Sequence, residues 1–434
     1  MTVGAVSADR LGAVFSDHLG GIPPGRWDGL AAGRLYSSRD WLALCAGDAG
    51  GTAGAVGVES VDGRLAALPV TAITAEGNPF YRWSEALAEA GLPAPAPVGI
   101  LAGQRRGYQT HLLVETGERA VPAARAEAAA SLLDRLAELP GAAAQAGLLG
   151  ARPPEHPPCV AMYLDTADVL AFRAAGVGTL PVLLRPDAWI AVPAGGWDAW
   201  LASLPSPRRA ELVRRESRRF DRAGYTLRET SLLESHAVAA RLLAGTEARY
   251  GRATTAAAHE ASLRRQATMM GPAARVLLCL RDDEPVGYVC YYLWGDTLFL
   301  RSAGFDHARL ANAAEYFNLV YYLPVRIAAE AGARRIHAGI EAFDAKALRG
   351  ARLSPLWLLD LSADSPLAGR DAQIRAYNAG RSRQLVESSR AVAKSWRGGV
   401  SGVPEEFGLH DGLDAGRPDP EPGTEASGDA GALR

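Results

Sequence analysis

Residues 275–303 read RVLLCLR-DDEP-VGYVCYYLW-GD-TLFLRSA and form the most regular pattern in the chain. Three apolar runs are separated by two short polar connections, at 282–285 and 295–296. The runs are rich in Val, Leu, Tyr and Phe, which favour strands. A two-residue connection that contains glycine is typical of a tight hairpin. The stretch therefore predicts three consecutive antiparallel strands.

The segments on either side of these strands have helical and extended patterns. Ser206 followed by Pro207 predicts a helix start, with serine as the cap and proline at the first helical position. Gly332 predicts the end of another helix. The predicted helices are 206–223, 235–250, 312–331 and 371–396, and the predicted strands are 188–192, 225–229, 335–339 and 355–361. This order predicts a mixed α/β (α+β) domain with a mostly antiparallel sheet.

An N-terminal region has a similar mixture of patterns. Residues 54–60 and 64–73 are strand-like, and the Asp62-Gly63 pair between them favours a hairpin turn. A further strand is predicted at 111–115, followed by an Ala-rich helix at 122–138. We therefore expect two domains in the chain.

The C-terminal end differs in composition from the rest. Gly, Pro, Asp and Glu dominate, and apolar residues are few. Such a segment buries too little apolar surface to offset the entropy lost on ordering. We predict an N-terminal domain at 1–180, a C-terminal domain at 181–397 and a disordered tail at 398–434.

Composition and charge exclude several classes of protein. The chain has 434 residues, 48% of them hydrophobic, and a formal net charge of −2. It can bury sizeable cores, and it is not a globally basic nucleic-acid binder. The cysteines form no C-x-x-C pair and have no histidine cluster beside them, which argues against a metal site or a disulfide framework. No secretory pattern or membrane-length apolar run is present. We expect a cytoplasmic protein that neither inserts into membranes nor binds DNA.

Lysine is scarce in this chain. Of 46 basic residues, only Lys346 and Lys394 are lysines, a bias typical of a GC-rich genome. A lysine that persists under such a bias can mark a position where arginine fails, because a compact ammonium and a planar guanidinium bind differently. Chance survival is the alternative, and we prefer it for Lys394. For Lys346 the neighbouring residues favour a function.

The segment GIEAFDAKALRGA, residues 339–351, directly follows a predicted strand. Loops at strand ends commonly carry function. Lys346 and Arg349 would share a face if this segment is helical, and we predict that they bind an anionic substrate group. Glu341 and Asp344 are candidate catalytic residues that would position or deprotonate an amine. An interdomain salt bridge is the structural alternative.

The predicted helix 312–331 carries polar and aromatic residues together. Tyr316 is a third candidate general base, and Asn318 and Tyr322 are candidate substrate-binding residues. Arg301, near the end of the last of the three strands, joins them as a substrate-binding candidate. The alternative is an aromatic-rich buried helix, which such patterns more often form. His307 and His337 are lower-ranked bases.

The predicted helix 206–223 is strongly basic. One interpretation is a phosphate-binding ridge for a nucleotide, coenzyme A or a tRNA backbone. The other is a solvated face with pairs such as Glu211–Arg215. The candidate phosphate-binding residues are Arg208, Arg214, Arg215, Arg218 and Arg219.

These segments combine into a pattern that extends over most of residues 36–361. It comprises Leu204 to Arg209, Arg214-Arg215-Glu216, Tyr316-Phe317, Tyr321-Tyr322, Gly332, Gly339, Lys346 and Arg349-Gly350. The pattern resembles the FemAB-like proteins of the GNAT acetyltransferase superfamily. The resemblance implies two tandem GNAT-like domains. In the Fem-type branch an aminoacyl-tRNA donates its aminoacyl group to a peptide amine, and other branches are taken to use acyl-CoA.

The acyl donor can be examined in the sequence. Acyl-CoA-dependent GNAT domains have a Q/R-x-x-G-x-G/A loop whose backbone N–H groups bind the pyrophosphate at a helix start. Residues 304–311 do not match it, and the near-match at 104–109 precedes a strand-like run. We therefore favour aminoacyl-tRNA as co-substrate, with no bound cofactor. The acceptor would be an amine of a peptidoglycan precursor or a specialised metabolite.

Two other hypotheses stay open. One is an acyl-CoA-dependent N-acyltransferase with the same fold. The other is a non-catalytic GNAT-like binding module, which would transfer no acyl group to any amine.

Overall fold

The structure is a computed structural model that describes residues 8–115, 121–252 and 254–410. The chain divides into two compact units, and each unit is discontinuous in sequence. The first unit contains the chain up to Arg185, Pro355–Gln384 and Gly402–His410. The second contains Pro186–Ser354 and Leu385–Ser401.

The first unit begins with helices and an antiparallel hairpin. Its helices are α1 (Ala8–Val14), α2 (Pro24–Leu30), α3 (Arg39–Ala46), α4 (Trp83–Glu89), α5 (Val121–Gln145) and α6 (Thr166–Ala174). Its strands are β1 (Gly51–Glu59), β2 (Leu65–Ile73), β3 (Gly99–Ala102), β4 (Leu113–Val114) and β5 (Cys159–Leu164). Every residue of β2 is buried, as expected for an apolar strand with neighbours on both edges.

The sheet of the first unit runs β1-β2-β3-β5, with β4 beside β2. The pairs β1·β2, β2·β3 and β2·β4 are antiparallel, and β3·β5 is parallel. Helix α5 follows β4 in the chain and precedes β5, so the crossover to the parallel strand contains a helix. A core cluster that includes Trp27, Leu42 and Leu113 packs at this sheet.

The second unit also combines strands and helices. In chain order its elements are β6 (Val182–Ala191), α7 (Gly196–Ser203), α8 (Pro207–Asp221), β7 (Thr226–Ser231), α9 (Leu232–Arg249), α10 (Ala256–Met270), β8 (Ala274–Arg281), β9 (Glu284–Trp294), β10 (Thr297–Phe305), α11 (Glu315–Phe317), α12 (Leu323–Glu330), β11 (Arg335–Gly339) and α13 (Phe343–Ala347). Strand β6 begins just before the boundary of the unit. A π-helical turn, Asn318–Tyr322, joins α11 to α12.

The strand order in the second unit is β6-β11-β10-β9-β8-β7. The predicted meander is confirmed, because β8·β9 and β9·β10 are antiparallel. The pair β10·β11 is parallel and is connected through α11 and α12. Each unit therefore has a mostly antiparallel sheet with one parallel pair joined by a helical crossover. The predicted α/β (α+β) fold class is confirmed.

The last part of the chain contributes to both units. It forms β12 (Arg352–Asp360), α14 (Asp371–Ser388), α15 (Arg390–Val400) and a 3₁₀ turn at Glu405–Phe407. Strand β12 pairs antiparallel with β5, so Pro355–Gln384 belongs to the first unit. The sequence boundary at residue 180 had placed this segment in the second domain, because strand pairing between distant residues leaves no local signal.

Several predicted elements differ from the structure. Helix α10 was not predicted. The predicted helix 371–396 is two helices, because Ser389 caps α15 by accepting the N–H of Val392. The predicted disorder is wrong for residues 398–410, where Val400 and Phe407 are buried. Residues 411–434 of that prediction lie outside the described residues.

Among the helices that the structure describes, each is too short or too polar to cross a bilayer.

Candidate active site

The parallel strands of the second unit define the place where a site is expected. Strand β10 pairs with β11 from Thr297 to Phe299, and β10 then continues to Phe305. A register shift between Leu300 and Ser302 makes Arg301 a bulged residue, and bulges commonly re-aim side chains near sites. Ligands of open α/β sheets bind beyond the carboxyl ends of parallel strands. The segment after β11 lies at this end.

Lys346 is a buried amine in that segment. Strand β11 ends at Gly339 with φ +79°, and Ala342 has φ +54° just before α13, so the chain turns sharply there. The Lys346 side chain is 1% exposed, and its Nζ has no hydrogen-bond partner in the part of the chain that the structure describes. Burial lowers the pKa of Lys346 to about 7, while the carboxylates of Asp187 and Glu341 raise it. Such a group can change its charge near neutral pH.

Asp187 supplies a buried negative charge close to this amine. It lies on β6, next to β11 in the sheet. Its Oδ2 accepts the indole N–H of Trp189 (2.8 Å), and its Oδ1 lies 2.7 Å from Nε2 of His337. Asp187 and His337 are both buried. His337 was a lower-ranked base and Asp187 was not among the candidates, although a carboxylate directly before the predicted strand 188–192 is a signal that could have been used.

Arg349 is one helical turn from Lys346 but has several partners. Its guanidinium lies 3.6 Å from the centroid of the Phe317 ring and donates to the hydroxyl of Tyr322 (3.2 Å) and to the carbonyl of Ala345 (3.1 Å). The carboxylate of Glu216, on α8, is 3.6 Å away. The guanidinium of Arg349 is thus largely occupied by contacts within the protein. These contacts favour a positioning role over direct contact with a substrate.

The polar residues of the π-helical segment are also engaged in packing. Asn318 is buried and donates to the carbonyls of Ala314 (2.9 Å) and Glu216 (3.4 Å). Tyr322 donates to the Glu216 carboxylate. Burial raises the pKa of Tyr316, whose hydroxyl lies 3.4 Å from that of Tyr321. A tyrosine with a raised pKa stays protonated at neutral pH, so this environment does not favour Tyr316 as a general base.

The remaining candidates near α13 differ in exposure. Glu341 is half-buried, and its charge acts on Lys346. Asp344 is exposed in the first turn of α13. Arg301 is half-buried. The structure therefore brings Glu341 together with Lys346. His307 lies on the loop after β10, where burial lowers its pKa.

Helix α8 presents its arginines to solvent. Ser206 caps it as predicted, accepting the N–H of Arg209. Its buried side consists of Ala210, Val213, Ser217 and Phe220. Glu211 is 2.8 Å from Arg218 and 3.7 Å from Arg214, whereas the sequence suggested an ion pair with Arg215. The exposed arginines are Arg208, Arg214, Arg215, Arg218, Arg219 and Arg222.

Two loops contain the segments discussed above for coenzyme A binding: residues 304–311 begin at the end of strand β10, and residues 104–109 follow strand β3. After β10, the buried carboxylate of Glu315 accepts the N–H of Ala313 (2.9 Å) and the hydroxyl of Tyr225 (2.7 Å). After β3, the side-chain oxygen of Gln104 accepts the N–H groups of Arg106 (2.7 Å) and Gly107 (2.8 Å). These N–H groups already have acceptors from the chain itself. A negative charge at the first loop also opposes a phosphate.

The fold of the chain resembles that of solved proteins. FemX superposes with a TM-score of 0.53 at 13% identity, covering 80% of this chain and 97% of that one. A C-terminal DUF2156 domain from Agrobacterium fabrum gives 0.45 at 11% identity, with 81% and 95% covered. A tandem GNAT protein from the clavulanic acid biosynthesis pathway gives 0.39 at 16%, with 79% and 95% covered. No protein-family model and no curated protein matches the sequence. The chain therefore shares the overall fold of FemX.

Proposed function

We propose that the chain is an amine-acylating transferase that takes an aminoacyl group from aminoacyl-tRNA, with Lys346 as the residue that carries the proton. The observation on which this depends is the buried Nζ of Lys346, which has no hydrogen-bond partner among the described residues. Lys346 lies on α13, which follows the parallel strand β11, and the chain has a FemAB-like fold. An unpaired buried amine is costly for stability, which supports a role in chemistry.

The reaction requires two proton transfers. The acceptor nitrogen forms a bond to the ester carbonyl carbon, and the carbonyl oxygen gains a negative charge. The C–O bond to the tRNA ribose then breaks, so the nitrogen loses one proton and the ribose oxygen gains one. A lysine with a pKa of about 7 can accept the first proton and donate the second.

Lys346 can also stabilise the charge that develops between these steps. Once protonated, its ammonium offers three N–H donors to the tetrahedral oxyanion. Asp187 and Glu341 favour this charged form. Glu341 is half-buried, so its carboxylate can also hold the ammonium of the incoming acceptor. Proximity of the two reactants supplies much of the remaining acceleration.

The choice of tRNA as donor has two supports in the second unit. After β10, the Glu315 carboxylate accepts the N–H of Ala313, so a negative charge opposes the binding of a pyrophosphate there. The exposed arginines of α8 provide a surface for a phosphate backbone. Glu216 of α8 bonds Tyr322 and is paired with Arg349, so the arginine helix and the turn that carries Lys346 are connected.

The test is a transfer assay with two lysine variants. Purified protein is given radiolabelled aminoacyl-tRNAs or acyl-CoAs and a panel of peptide amines. We expect transfer from aminoacyl-tRNA, and a loss of about 10²–10⁴-fold for both Lys346→Met and Lys346→Arg, because arginine keeps the charge but does not release its proton. The wild-type rate should rise with pH through about 7, since the free amine is the form that accepts a proton.

The other lysine offers a matched control. Lys394 is exposed, so Lys394→Arg should leave transfer within about twofold. Full activity of Lys346→Arg would mean that a fixed positive charge suffices and would contradict the proton transfer. Transfer from acyl-CoA alone would contradict the donor. Absence of transfer from every donor would favour a binding module.

A further inference from the structure

The first unit contains a cavity of about 570 Å³ that the proposed reaction does not use. All of its lining residues belong to this unit. Leu87, Met162 and Val182 give it an apolar side, and Phe80, Tyr163 and Tyr377 add aromatic rings. The volume lies within the range of small-molecule sites, about 300–1,000 Å³, and a mixed aromatic and polar lining is typical of them.

Backbone geometry at the cavity wall is unusual. In the β5·β12 pair, Leu164 is opposite Trp357 and Met162 is opposite Leu358, so Tyr163 is an extra, bulged residue. Its φ of +61° is rare for a bulky side chain. Strained residues cluster at ligand sites, and bulges turn a side chain towards a new direction. The Tyr163 hydroxyl is fixed by donating to the Phe80 carbonyl (2.5 Å).

Charged groups of both signs line the same cavity. Arg185 lies over the Phe80 ring, 5.3 Å from its centroid. Arg381, Glu89 and Tyr377 line the cavity as well. Glu85 is the fourth charged lining residue. Glu85 is paired with Arg82 (3.2 Å), and the other lining charges are two guanidinium groups and the Glu89 carboxylate. Groups of both signs in one cavity complement a ligand that itself carries both signs.

We propose that this cavity binds a dipolar small molecule, an amino acid or a short peptide. The carboxylate of the ligand meets Arg185 and Arg381, its ammonium meets the carboxylate of Glu89, and its apolar part packs against the aromatic rings. The site goes beyond the transfer reaction and does not depend on it. Binding here can be measured in a protein that transfers nothing.

The test uses L-phenylalanine as the probe, titrated into the full chain by calorimetry. Two analogues each lack one charge, namely 2-phenylethylamine and 3-phenylpropanoate. We expect saturable binding of L-phenylalanine and at least about tenfold weaker binding of each analogue. Arg381→Gln should weaken L-phenylalanine and 3-phenylpropanoate but not 2-phenylethylamine. Glu89→Gln should weaken L-phenylalanine and 2-phenylethylamine but not 3-phenylpropanoate.

Arg152→Gln is the control, because Arg152 is exposed in the same unit and does not line the cavity. It should bind all three probes as the wild type does. Arg381 and Glu89 are exposed, so their variants should fold, and an unchanged unfolding midpoint checks this. No saturable binding of L-phenylalanine, or equal affinity for the three probes in wild type and both variants, would overturn the proposal.

Discussion

Lys346 and Arg349 are two buried basic residues on one turn of the second unit, and they differ in their partners. Arg349 has a carboxylate, a hydroxyl, a carbonyl and a ring around it. The Nζ of Lys346 has no hydrogen-bond partner among the described residues. Guanidinium suits many fixed contacts, whereas an ammonium readily changes its pKa on burial. This contrast explains why the two residue types are not interchangeable here.

The buried amine should make stability depend on pH. The pKa of Lys346 is about 7 in the folded chain, against an ordinary value of 10.5. Between these values the unfolded chain binds more protons, so the free energy of unfolding rises as pH increases from about 7 to about 10.5. Lys346→Met removes this dependence. We expect the variant to be more stable than wild type at pH 7, by about 2–5 kcal/mol.

Urea unfolding at several values between pH 6 and pH 10 measures this difference. The stability gain of Lys346→Met should shrink towards pH 10, where the wild-type amine approaches neutrality in both states. Lys394→Met is the matched control and should follow the wild-type curve. Parallel curves for wild type and Lys346→Met would show that Lys346 is charged in the folded protein.

Helix α8 has one buried face and one charged, solvent-exposed face. Ala210, Val213 and Phe220 are buried, and the arginines face solvent. Exposed ion pairs such as Glu211–Arg218 contribute little to stability. Substitution of solvent-facing arginines should therefore change ligand binding more than folding.

The arginine surface can be tested through its salt dependence. Arg215→Ala combined with Arg219→Ala should weaken tRNA binding similarly for all tRNA sequences. Each phosphate that an arginine no longer neutralises should reduce the slope of log affinity against log salt by about one. Filter binding between about 50 and 200 mM salt measures the slope. Arg241→Ala, on the exposed side of α9, should leave it unchanged, and an unchanged slope in the double variant would exclude α8 from tRNA binding.

The helical segment after β10 shows how a local irregularity shapes a site. Ala314 has φ +60°, and a π-helical turn, Asn318–Tyr322, interrupts the helix before Pro324. Proline lacks an N–H for the regular helical bond, and π turns occur frequently at functional sites. The turn carries Tyr322 to Glu216 and Arg349. Periodicity alone predicted a regular helix here.

At the scale of the whole chain, each unit is completed by residues distant in sequence. Phe407 is buried in the first unit, with its ring centroid 5.3 Å from that of Trp357. Asn378 donates to the Phe407 carbonyl (2.8 Å) and accepts the N–H of Leu183 (2.8 Å). The last described residues are therefore part of the folded unit.

Phe407→Ala should destabilise the first unit by about 3–5 kcal/mol, because removal of a large buried ring leaves a cavity. Differential scanning calorimetry measures the shift of its unfolding transition. Leu170→Ala, at an exposed position of the same unit, should change stability by only about 0.5 kcal/mol. A comparable effect of both substitutions would mean that the 3₁₀ turn is not docked in solution.

Local patterns in the sequence were enough for the meander β8–β10, the Ser206 cap of α8, the turn that carries Lys346 and the fold class. These depend on side-chain periodicity, turn residues and capping, which act between neighbours in the chain. The same reasoning singled out Lys346, through the scarcity of lysine.

Contacts between distant residues could be read only from the folded chain. They include the return of β12 to β5, the burial of Phe407, the Asp187–His337 pair and the partners of Arg349. The burial and the electrostatic environment of a side chain depend on which elements pack together. They decide whether a basic group is held by fixed partners or has a pKa near neutrality. Lys346 and Arg349 look alike in the sequence, and only packing assigns them different chemistry.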